Sequence, residues 1–99
     1  MNTLSDYKDY NNKRLERHFF NLALEQEKIA GNDIGVNQEV VRLAYTVILL
    51  NKHNQDAIIM MDKACKIIND NSLVDISKEL AVDILKRCQC GKKLWFYYI

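Results

Sequence analysis

Apolar residues recur along this chain at helical rather than alternating intervals. Over about residues 12–30, Leu15, Phe19, Leu22 and Ile29 fall on one side of a helical wheel with Ala23 beside them. Arg17, Glu25 and Lys28 fall elsewhere on the wheel. Gly31 suits the left-handed residue that ends a helix, and residues 31–35 read as a loop. A second helix is predicted from Asn37, a good N-cap, with Glu39 well placed for the helix dipole. Residues 40–50 are apolar almost all round, broken by Arg42 and Thr46, which predicts the most buried helix of the domain. After a polar break at residues 51–54, a third helix over residues 55–68 carries a stripe of Ala57, Met61, Ala64 and Ile68. Ser72, with Asp75 three residues later, fits a capping box for a fourth helix through Leu80, Ile84 and Leu85 to about Cys88. Beyond Gly91 the aromatic content of residues 92–99 suits a strand or an extended arm.

These elements predict an all-α protein: a small four-helix bundle or stacked helical hairpins, tetratricopeptide-like in spacing, with an aromatic C-terminal arm. A single domain is expected over residues 1–99, flexible over residues 1–11 and ending in the arm at residues 92–99. A chain of 99 residues can bury roughly two-thirds of its unfolded surface. An apolar share of 48% suits a globular core, and the absence of proline leaves long helices unobstructed.

The charge balance is even, with 14 Lys and Arg against 13 Asp and Glu, which speaks against a surface built throughout for nucleic acid. It is uneven locally. No acidic residue follows Asp83, whereas Lys86, Arg87, Lys92 and Lys93 do. Cys65, Cys88 and Cys90 are an odd set, unlike a secreted disulfide framework. The first residues are too polar for a signal peptide, and the longest apolar run is far too short to span a bilayer. The expected location is therefore cytoplasmic, with no membrane partner.

The second and third helices carry a further pattern. With Gln38 as its first position, a tetratricopeptide unit places Val41, Ala44 and Ile48 on the first helix and Ala57 and Ala64, seven apart, on the second. Alanines at that spacing let two antiparallel helices approach closely. Any helical hairpin can use the same device, and Tyr45 stands where the unit takes a small residue. The stretch from Gln38-Glu39-Val40-Val41-Arg42-Leu43 to Leu49-Leu50-Asn51-Lys52 resembles the small tetratricopeptide-like chaperones of bacterial type III secretion, which hold needle subunits in the cytosol before export. The resemblance implies a concave apolar groove that clamps an amphipathic helix of the needle subunit, and an adaptor without enzymatic activity.

Candidate partner-binding residues are the large apolar side chains that exceed what four short helices can bury. They are Phe20, Leu24 and Tyr45, together with Trp95, Phe96, Tyr97 and Tyr98. The four consecutive aromatics either dock a partner or a second copy, or close the open end of the bundle. Two further readings stay open. One is an inhibitor or immunity-type protein, or a phage-derived one, that neutralises a target protein. The other is a winged-helix DNA-binding protein with residues 77–89 as recognition helix and residues 92–99 as first wing strand. Asp75, Glu79 and Asp83 along that same helix oppose phosphate contact. His18 and His53 are the only neutral-pH bases, Cys88-Gln89-Cys90 lacks the usual zinc spacing, and no phosphate loop or nucleophile motif occurs. Catalytic, cofactor and metal sites are therefore not expected.

Overall fold

A computed structural model describes the backbone of residues 4–98 and the side chains of residues 11–87. Four helices follow in order: α1 (Leu4–Ala30), α2 (Ile34–Leu50), α3 (Gln55–Ile68) and α4 (Asn71–Tyr98). The all-α expectation holds, and among the described residues there is no strand.

Short-range polar contacts set where each helix begins. Gly31 takes the left-handed conformation (φ 48°) and ends α1. Two residues later, the Asp33 carboxylate accepts from the Val36 amide at 3.0 Å and caps α2. The helix thus starts before Asn37, and Gly35 lies in its first turn rather than in a loop. Asn37 is only 3% exposed. Its Nδ2 donates to the Gly31 carbonyl at 3.1 Å and to the Asp33 carbonyl at 2.8 Å, which clamps the α1–α2 turn from inside.

Asn54 caps α3 by accepting from the Ala57 amide at 3.0 Å, and Asn69, at φ 50°, ends it in the left-handed region. At α4 the expected cap at Ser72 is replaced by Asp70. Its carboxylate accepts from the Ser72 hydroxyl at 2.7 Å, the Ser72 amide at 3.0 Å and the Leu73 amide at 3.4 Å. The reason is positional: α3 ends on Asn69, so Asp70 is the first side chain able to reach the orphan amides. These bonds, that from the Ser72 side chain foremost, hold the Asp70 carboxyl below its usual range. Its help to α4 is therefore present above the ordinary carboxylate range and lost as pH falls through that lowered value.

Two boundaries differ more widely. α1 begins at Leu4 rather than near residue 12, so residues 4–11 have helical backbone. No glycine or proline interrupts that stretch. α4 runs past Cys88 to Tyr98, so residues 92–98 have helical backbone where an extended arm or wing strand was expected. Gly91 weakens a helix by roughly 1 kcal/mol but raises no steric barrier to it. The side chains of Trp95, Phe96, Tyr97 and Tyr98, and with them the packing of the expected arm, lie outside the described residues.

As its all-round apolar pattern implies, α2 is the central helix and packs along α1, α3 and α4, while α3 and α4 barely meet. One core draws on all four helices through Phe19, Ala23 and Ala30, then Val40, Val41, Leu43, Ala44 and Val47, then Ala57, Met60, Ala64 and Ile68, and finally Val74. Small side chains mark each close approach: Ala23, Ala44, Ala57 and Ala81 are fully buried. Thr46 is buried too, its hydroxyl donating back to the Arg42 carbonyl at 2.8 Å. Arg42 forms an ion pair with Glu39 one turn earlier.

A second polar knot joins α1 to the α2–α3 turn. Glu16 Oε2 accepts from Asn51 Nδ2 at 3.0 Å and from Asn54 Nδ2 at 2.8 Å. Replacing Glu16 by alanine is expected to cost about 1–2 kcal/mol, because two partly buried amides lose a charged acceptor. Urea unfolding checks this against Glu25→Ala on exposed surface of the same helix, where the change stays within about 0.5 kcal/mol.

Candidate protein-binding surface

The sequence pattern carries the fourth helix through Leu80, Ile84 and Leu85. The structure sets which of its residues face inward. Val74, Ser77 and Ala81 face the core, with the Ser77 hydroxyl donating to the Leu73 carbonyl at 3.1 Å. Such small side chains let α4 lie close to α2, and the larger residues are carried off the contact. Ile76 is left 49% exposed and Leu80 48% exposed. The two are four apart and so share one helix face. Leu73 and Ile84 border them, both partly buried against the core.

Together these four side chains form an apolar strip along α4, with a charged edge. Asp75, Glu79 and Asp83, again at intervals of four, are exposed beside Ile76 and Leu80. Among the described residues no salt bridge engages any of the three. A helix laid along this strip would meet leucine-like side chains in the middle and carboxylates along the rim.

Of the residues expected to bind a partner, Phe20 and Leu24 lie on α1, partly buried and packed against the core. Phe20 contributes to a shallow depression with Lys13, Glu16, Arg17 and Asn54. Tyr45 is partly buried on α2, with Lys78 Nζ 5.5 Å from its ring centre, within cation–π range. Phe20 and Leu24, four apart, share a flank of α1, whereas Tyr45 lies on α2 beside a lysine of α4. Ile29, expected in the core stripe of α1, is 70% exposed. Ile76 was missed altogether. A signal for it existed in the small pair Ser77 and Ala81, which marks a close-approach face just as Ala57 and Ala64 do on α3.

Groups capable of chemistry are scattered. His53 lies in the α2–α3 turn, where its amide donates to Asn51 Oδ1 at 3.0 Å. His18 is exposed on α1 beside the Phe19 ring. Cys65 is partly buried, and burial pushes its thiol pKa up, away from the reactive thiolate. Cys88 and Cys90 lie outside the described side chains. Among the described residues no group of three or more His, Cys, Asp or Glu side chains is placed to hold a metal ion.

Compared with protein-family models, with curated proteins and with solved structures, the chain matches none. Its surface must carry the functional argument alone. Among the described residues no helix is long and apolar enough to cross a membrane.

Proposed function

We propose that the chain is a non-enzymatic adaptor of the cytoplasm that holds an amphipathic helix of a protein partner along the outer face of α4. One observation carries this reading: Ile76 and Leu80, half exposed, continue a strip whose other members, Leu73 and Ile84, already touch the core. A helix seated there would use side chains at intervals of three and four, the usual register of helix-in-groove recognition. The carboxylates of Asp75, Glu79 and Asp83 favour a partner whose apolar stripe is edged by lysine or arginine. In its narrower form, suggested by the likeness of α2 and α3 to needle-subunit chaperones, the adaptor would hold an export substrate before secretion. Trp95, Phe96, Tyr97 and Tyr98 follow on the same helix in sequence and are candidates for further contact.

Affinity capture with three versions of the chain tests the reading. Wild type is expected to retain a partner that Ile76→Lys/Leu80→Lys loses, while Ile59→Lys/Ile67→Lys, an equal apolar loss on α3, keeps it. All four side chains involved are at exposed positions, so thermal melting should differ by little. Equal retention by all three versions would overturn the proposal.

A further inference from the structure

The acidic rim of α4 has a counterpart on α1 of the same chain. Lys13, Arg17, Phe20 and Leu24 follow at intervals of four, three and four, which places them in one strip of that helix. Lys13 and Arg17 are exposed, and Phe20 and Leu24 are partly so. Among the described residues no salt bridge engages Lys13 or Arg17. Glu16, next to Arg17 and three residues from Lys13, is already held by Asn51 and Asn54.

The two strips are complementary in charge. On α4, Ile76 and Leu80 lie beside three carboxylates; on α1, two cations precede Phe20 and Leu24 along the helix. Each apolar pair has the same spacing of four. From Leu73 to Asp83 is about 15 Å along the axis and from Lys13 to Leu24 about 17 Å, so the patches are close in length. They do not satisfy each other within one molecule, since the α4 strip and the α1 cations both remain exposed in the folded chain.

We infer that the occupant of the α4 strip is α1 of a second copy of this chain, docked antiparallel with Lys13 against Asp83, Arg17 against Glu79, and Phe20 and Leu24 on Ile76 and Leu73. This rests on the reading of the α4 face as a seat for a helix and names its partner. The contact is heterologous: each copy keeps one free α1 face and one free α4 face, so association closes into a ring or continues along a row. A patch of two to three helical turns is small, which sets the affinity in the micromolar range and makes it strongly dependent on salt.

Sedimentation velocity over a micromolar to near-millimolar series tests this with two charge-reversed variants. Wild type is expected to associate at low salt and to dissociate at high salt. Lys13→Glu/Arg17→Glu and Glu79→Lys/Asp83→Lys should each be monomeric alone, with apparent affinity weakened about tenfold or more. Mixed together they should associate again, because the reversed α1 of one matches the reversed α4 of the other. Matching circular dichroism melts for all three chains would exclude misfolding. Wild type that stays monomeric at every concentration overturns the inference, as does a mixture that fails to recover association. A monomeric wild type that still captures another protein through Ile76 and Leu80 would overturn self-docking alone and leave the adaptor reading standing.

Discussion

Replacing Phe19 by alanine is expected to remove about 3–5 kcal/mol of stability, the largest loss from any single truncation in this core. Phe19 is the bulkiest side chain buried among the described residues, and it reaches from α1 into the cluster built on α2. Its removal leaves a cavity that the neighbouring backbone can close only in part, because α2 is hemmed in by helices on its other sides. A domain of this size is worth about 5–15 kcal/mol in all, so the variant should stand close to the unfolding threshold. Its melting midpoint should fall by roughly 4–8 °C for each kcal/mol lost. The adjacent Phe20, partly buried, serves as control. Chemical denaturation should show Phe20→Ala losing much less than Phe19→Ala, and equal losses would mean that the inward face of α1 is wrongly assigned.

The second large effect is expected at Asn37, from a change of one atom. Asn37 donates twice from a nearly closed site, to the carbonyls of Gly31 and Asp33. Asn37→Ala leaves both carbonyls without that donor and should cost about 1–3 kcal/mol. Asn37→Asp is expected to cost more at neutral pH, since an ionised carboxylate would face two carbonyl oxygens with no proton to offer. Protonation restores one donor, so the variant carboxyl should have a folded pKa above its unfolded value of about 3.9. The sign follows from that elevation. The variant is at its most stable below the unfolded pKa and loses stability as pH rises through the folded one. Denaturant midpoints at acidic and neutral pH read this directly: Asn37→Asp should approach Asn37→Ala in acid and fall below it at neutrality. A midpoint for Asn37→Asp that does not depend on pH, relative to wild type, would remove the clamp from the account.

Helix count, helix order and the central place of α2 were legible in the sequence, because apolar spacing reports which face each helix must hide. Helix starts were less legible. Asn37 and Ser72 are sound capping residues by type, yet Asp33 and Asp70 take the role because the left-handed residues Gly31 and Asn69 end the preceding helices just before them. Pattern alone does not show where the previous helix stops. On the surface, size alone points to Phe20, Leu24 and Tyr45 and passes over Ile76. Large side chains that flank a core also lean on it, and these three are partly buried. On α4 the smallest residues, Ser77 and Ala81, turn inward, so Leu80 is displaced from the core and Ile76 is left beside it.

A photo-cross-linking amino acid placed at position 80, compared with one at exposed Lys63 on α3, tests most directly whether the outer face of α4 seats a helix. A seated helix requires adducts specific to position 80 that map to a single amphipathic helical segment, in a second copy of the chain or in another protein, and that are lost when the cross-linking chain also carries Ile76→Lys. Identical adducts from both positions, or none from position 80, would contradict it.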